Sequence, residues 1–192
     1  MTISEDELKL LLQALAFSAH KHKDQRRKDV DSSPYINHPI SLASILCNEG
    51  HVTDIDVICG ALLHDTVEDT DTTAAELEDR FGPIIRDIVM DVTDDKTLDK
   101  PDRKRLQIEH AAHISEQAKL VKLADKISNL RDVAENPPPA WSLERRQGYL
   151  DWAKKVIVQL RGTHESLEAI FDSAYANRPK HANYLLSLVV CS

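Results

Sequence analysis

Apolar positions recur at three- and four-residue intervals along almost the whole chain, and strict alternation is nearly absent. That spacing predicts an all-α protein. Ser4 with Glu7 carries the signature of a capping box, after which Leu8, Leu11, Leu12, Leu15 and Ala19 mark one face of a first helix. The segment HKHKDQRRKDVDSSPYINHPI interrupts the pattern with turn residues and reads as a loop ending in a new helix, with Pro39 near its first turn. Thr53 or Asp54 caps the next helix, which climbs through Val57, Ile58, Ala61 and Leu62 into His64. Phe81-Gly82-Pro83 punctuates, Ile84 to Val92 is helical, and DDKTLDKPDRKR is a charged loop leading into another helix. The run EQAKLVKLADKISNLRD is strongly amphipathic, and ENPPPAW stops it, because consecutive prolines cannot continue a helix. Trp141-Ser142 then caps a long helix through Tyr149, Trp152, Val156 and Leu160. Leu167, Ile170, Phe171 and Ala174 line one more.

No internal repeat and no linker interrupts this series. A chain of 192 residues with 42% hydrophobic content can bury one core, so residues 1–175 are expected to form a single compact helical domain. Residues 176–192 are expected to be a tail or an extra packing element, its apolar YLLSLVV either packing or forming a homo-oligomer contact.

Charge narrows the partners. With 24 Lys+Arg against 32 Asp+Glu the formal charge is −8, which argues against a nucleic-acid backbone or an anionic membrane surface. Three cysteines without a CxxC make neither a disulfide framework nor a zinc-thiolate site and fit a reducing cytoplasm. The acidic N-terminus is unlike a signal peptide, and the longest apolar run is too short to span a bilayer.

The chemistry concentrates in ALLHDTVEDT, where an apolar helix runs into one histidine and three carboxylates within six residues. Burying such groups is costly unless something compensates them. In the amphipathic helix, Leu120, Leu123, Ile127 and Leu130 share one side while Asp125, Asn129 and Asp132 cluster roughly opposite. His38 precedes Pro39 at a helix start. His38, His64, Asp65 and Asp125 together offer mixed nitrogen and oxygen donors without thiolate, a set that suits Mn²⁺, Fe²⁺ or Mg²⁺ better than structural zinc. Glu68 and Asp69, not needed as ligands, are left to orient water or transfer protons. Two basic clusters flank these motifs: Lys21 to Lys28 has five cations against one carboxylate, and Lys96 to Arg105 five against two. Without a phosphate-binding glycine loop, a polyanionic substrate has to be held by side chains and metal. This is the layout of a metal-assisted phosphohydrolase. The other histidines, His20, His22, His51, His110, His113, His164 and His181, read as surface or packing residues.

The stretches RRKDVDSSPYINHPI, ALLHDTVEDTDTT, VTDDKTL, KLVKLADKISNLRD and the Tyr149-to-Trp152 helix make the sequence resemble the HD-domain hydrolases of the RelA/SpoT type, especially the small stand-alone alarmone hydrolases. The resemblance covers about Leu8 to Ile170. It implies an all-α HD-domain phosphohydrolase fold and Mn²⁺-dependent hydrolysis of guanosine 3′-diphosphate 5′-(di/tri)phosphate, (p)ppGpp, to GDP or GTP plus pyrophosphate. In that pattern His38, His64, Asp65 and Asp125 hold one manganese per chain, and Glu68 and Asp69 activate or orient the attacking water. Arg27 and Lys28 lie beside the base and phosphates, Asn129 contacts the ribose, and Tyr149, Lys100 and Arg145 match substrate-side positions. Asp132 departs from the pattern, since long bifunctional relatives tend to carry threonine there. The length leaves no room for a synthetase domain, so a dedicated degrader is expected. Two alternatives share the scaffold: a phosphohydrolase acting on NADPH or another phosphorylated nucleotide, and a catalytically silent nucleotide sensor.

Overall fold

The computed structural model describes residues 3–179, so the YLLSLVV run lies outside what can be described. Among the described residues nine α-helices follow in order: α1 (Glu5–Lys21), α2 (Asn37–Ser44), α3 (Ile55–Leu63), α4 (Thr66–Asp69), α5 (Ala74–Val92), α6 (Lys100–His110), α7 (Glu116–Glu135), α8 (Leu143–Val158) and α9 (Glu165–Ala176). Among the described residues there is no strand, only an isolated antiparallel bridge between Arg26 and Pro34. No helix among them is long and apolar enough to cross a membrane.

The helix starts follow local chemistry. Ser4 and Glu7 exchange both bonds of a capping box. Asp54 rather than Thr53 caps α3, its carboxylate accepting from Asp56 N and Val57 N. Ser115 caps α7 and Ser142 caps α8. Gly82 breaks α5 with φ of 84°, a left-handed conformation that glycine takes without strain, and Pro83 restarts the helix. Cys47 and Cys59 are free thiols.

Helix α7 is the axis of the main core. Leu123, Ile127 and Leu130 are buried against Leu42, Leu46, Val57, Ile88, Leu150, Val156, Leu167 and Phe171, which come from six surrounding segments. Each such side chain contributes about 1.5–3 kcal/mol by leaving water. A second cluster, with Leu62, Leu63, Leu77, Phe81 and Ile85, packs under α1. Asp125 and Asn129, on the other side of α7, are thereby held toward the ends of α2 and α3.

Three expectations change. Leu8 and Leu12 are exposed, and α1 buries Ala14 and Ser18 instead. This helix packs chiefly on α3 at the edge of the fold, so its small residues make the close contact. The charged stretch DDKTLDKPDRKR is not a loop throughout: Asp99 caps α6 through Asp102 N, and the helix begins at Lys100. His164 is more than a surface or packing residue, since it caps α9 through Leu167 N, while His22 is buried as a packing residue and bonded to Gln25.

Candidate metal and phosphate site

Four helices deliver the expected ligands. His38 is the second residue of α2, His64 ends α3, Asp65 precedes α4, and Asp125 lies midway along α7. Both imidazoles are buried, their ring centroids 5.2 Å apart. The donor atoms of His38, His64 and Asp65 all lie within 4.8 Å of one another. Asp125 joins them through its Oδ1, 3.3 Å from His38 Nε2.

The hydrogen bonding of His64 tests whether a cation fits. Its Nδ1 stands 2.9 Å from the Ala61 carbonyl, which can only accept, so Nδ1 carries the hydrogen and Nε2 of the neutral ring carries a lone pair. That Nε2 is buried without a hydrogen-bond partner, yet 2.8 Å from Asp65 Oδ2. Two electron-rich atoms this close need a proton or a metal between them. Burial opposes a charged ring, but the Asp65 carboxylate outweighs it and pushes the His64 pKa up to about 9. Burial likewise opposes the Asp65 charge, and His64 holds its carboxyl below the usual range. Asp125 is held well below it by Lys126 and His38 against its own burial. A divalent cation competes for the lone pairs that these protons neutralise. The donors are imidazole nitrogens and carboxylate oxygens without thiolate, so the residues fit a hard or borderline cation.

Glu68 and Asp69 on α4 face the same space. Burial, and next the Asp65 charge, push the Glu68 carboxyl up to about 7. Its Oε2 accepts from Asp94 N at 3.1 Å, and Arg103 and Lys96 approach its Oε1 to 3.9 Å. Asp69 pairs with Lys96. The Asp69 carbonyl accepts from Gln25 Nε2 at 2.7 Å, and Gln25 in turn bonds His22, so the loop before α2 is tied to the acidic corner.

A cleft of about 400 Å³ opens from these groups. Arg27, Lys28, Lys100, Asn129 and Tyr149 line it with the four candidate ligands and Glu68 and Asp69. A neighbouring cavity of about 330 Å³ shares Arg27, Lys28, Asn129 and Tyr149. Arg145 does not line either cavity; its guanidinium stacks 4.6 Å from the centre of the Trp141 ring, which lines both. Arg27 pairs with Asp132 at 2.5 Å, which gives the unusual aspartate a partner 105 residues away. Asn129 Nδ2 donates to Asp125 Oδ1.

Arg103 and Lys104 of the second basic cluster also line the cleft, together with residues whose sequence context pointed to no part in the site: Tyr35, Gln107, Lys122, Lys126, Trp141 and Trp152. Lys122 stands one turn before Asp125, on the polar side of α7 with Asn129 and Asp132. The helical wheel therefore held that signal, although a lysine on a polar face ordinarily reads as solvated.

A family profile described as the HD domain matches residues 14–150. A guanosine-3′,5′-bis(diphosphate) 3′-pyrophosphohydrolase, MESH1, of Xenopus tropicalis is 55% identical over 169 residues, 88% of this chain and 94% of that protein. The Homo sapiens protein of the same name is 54% identical over 168 residues, with the same shares covered. A solved structure of a metazoan ortholog of SpoT, described as hydrolysing ppGpp, superposes with a TM-score of 0.86 at 48% identity. That match covers 92% of this chain and 97% of the other.

Proposed function

This chain belongs to the HD-domain family, and from that premise we propose that it is a hydrolase that removes the 3′-diphosphate of (p)ppGpp as pyrophosphate, leaving GDP or GTP, with one Mn²⁺ per chain as the working ion. The observation that carries the reading is the meeting, in one cleft, of the His38, His64, Asp65 and Asp125 donors with the Glu68 carboxyl and with lysine and arginine side chains suited to phosphate.

When bound, the ion supplies positive charge to the phosphoryl oxygens and acidifies water. Glu68, beside the ligand set and held by Asp94 N, accepts a proton from the attacking water. Asp69, fixed through Lys96 and Gln25, orients that water. Water adds to the phosphorus attached to the ribose, the bond from phosphorus to O3′ breaks, and O3′ takes up a proton. Arg27 and Lys28 hold the base and phosphate side, Asn129 the ribose, and Lys100 and Tyr149 the remaining phosphates. Arg145 acts on that side through Trp141, on which it stacks.

The test incubates metal-stripped protein with guanosine tetraphosphate, with and without Mn²⁺, and resolves the products by anion exchange. Mn²⁺-dependent GDP and pyrophosphate are expected. Metal binding without turnover would overturn the substrate assignment and direct the search to NADPH and other phosphorylated nucleotides, because the cleft offers more contacts to phosphates than to a base.

A further inference from the structure

The inner wall of the cleft holds cations that the reaction as described does not use. Lys122 is 7% exposed and Lys126 is 3% exposed, and both line the cleft between α6 and α7. Lys122 Nζ donates to the Val92 carbonyl at 3.2 Å, a C-terminal carbonyl of α5, which occupies one of its three N–H groups. Among the described residues no carboxylate lies within ion-pairing distance of it. Lys126 is bonded to Asp125 at 2.9 Å and to Gln107 Oε1 at 3.1 Å. Arg103 reaches the same wall from α6 with a buried, unpartnered Nε, and its nearest carboxylate is Glu68 at 3.9 Å. Asp94, which also faces this wall, already accepts from Gln107 Nε2 at 2.6 Å.

Lys126, which also lies 4.5 Å from the centre of the Trp152 ring, is already partnered and contributes charge, whereas a buried ammonium with unused donors such as Lys122 is costly unless an anion completes it. The anion must sit close to the metal ligands, because Lys126 bonds one of them directly and Lys122 lies one helical turn away on the same face. Lys100 and Lys104, being more exposed, stand toward the mouth. On α7 Lys122 precedes Asp125 and Asn129 follows it by one turn, so Lys122 lies on the side of the ligand set opposite the ribose position.

Building on the proposed pyrophosphohydrolase reaction, we infer that Lys122, Lys126 and Arg103 form the subsite for the terminal phosphate of the scissile diphosphate. That subsite selects a diphosphate over a monophosphate at the reacting position. The same three residues hold one end of the pyrophosphate product, with Lys122 supplying free N–H donors and Arg103 a second cation from α6.

The experiment measures binding of inorganic pyrophosphate and of orthophosphate by calorimetry, with the holoprotein and its variants and with no nucleotide present. Wild type is expected to bind pyrophosphate at least 10-fold more tightly than orthophosphate. Lys122→Met and Arg103→Ala are each expected to weaken pyrophosphate by roughly 10- to 100-fold, with orthophosphate changing less than about 3-fold. Arg103 is only partly buried, so its variant reports even where a change at Lys122 disturbs folding. Lys122→Arg is expected to recover part of the loss. Equal affinity of wild type for the two anions, or equal weakening of both in the variants, overturns the subsite. Since the readout is binding rather than turnover, its outcome is separate from whether the tetraphosphate is the substrate.

Discussion

The phenol of Tyr35 donates to Asp65 Oδ2, the same oxygen that lies 2.8 Å from His64 Nε2. Tyr35 thereby fixes the carboxylate on which the ligand set turns. Burial, and next the charge of Asp65, raise its own pKa well above the ordinary phenol value, so it remains a donor at every working pH. A partner of this kind orients a ligand and is typically worth 10- to 100-fold in metal affinity. Tyr35→Phe is therefore expected to weaken Mn²⁺ binding by roughly that factor. Calorimetric titration of the stripped protein checks it, and an unchanged affinity would break the link between this hydrogen bond and the site.

Glu68 and Asp69 are expected to separate chemistry from metal binding. Neither is needed to complete a donor set of two imidazoles and two carboxylates. Glu68→Ala and Asp69→Ala should lower turnover by roughly 10²- to 10⁴-fold while metal content by atomic absorption stays near one per chain. His64→Ala should lose both together, because its buried Nε2 has no other partner and lies within 4.8 Å of the His38 and Asp65 donors. Normal turnover in the Glu68 and Asp69 variants would remove them from the proton-transfer step.

The close approach of α3 to α5 positions His64, and Gly60 makes that approach possible. A Cβ at Gly60 would fall 2.6 Å from Ile88 Cγ2. Alanine is favoured over glycine in a helix by roughly 1 kcal/mol, but Ile88 is 1% exposed and β-branched and has nowhere to go. Overpacking wins, and Gly60→Ala is expected to destabilise by about 1–3 kcal/mol in urea unfolding. A stabilised variant would mean that the two helices slide apart without loss.

Much of the fold was legible because its signals are local. The Ser4 and Glu7 capping box, the stop at the three prolines and the Ser142 cap depend on residues within a few positions of one another, and the structure contains each of them. The convergence of the donors was legible for a different reason: His64-Asp65 sits where an apolar helix ends, and buried charge there requires compensation. The face of α1 was not legible, since Leu8 and Leu12 satisfy helical spacing as well as Ala14 and Ser18 do, and only the partner α3 decides between them. The Arg27–Asp132 pair spans 105 residues and leaves no local trace. Lys122 and Lys126 were in plain view beside Asp125, but their burial comes from α6 and from the end of α5, which the helical wheel does not contain.

The raised pKa of Glu68 makes a stability prediction with a definite sign. Burial, then the Asp65 charge, lift it from an ordinary 4.5 to about 7 in the metal-free fold. Between those values the folded chain binds a proton that the unfolded chain releases, so this group stabilises the fold fully below pH 4.5 and its contribution is lost as pH rises through about 7. Glutamine keeps the shape and removes the titration. In the presence of a chelator, Glu68→Gln should therefore gain stability relative to wild type as pH rises from 4.5 to 7, by an amount on the order of 3 kcal/mol. Urea unfolding of the two proteins at several pH values measures the difference directly, and the other titrating groups, common to both, cancel in it. A difference that stays flat across the window would place the Glu68 carboxyl at its ordinary value in the metal-free fold.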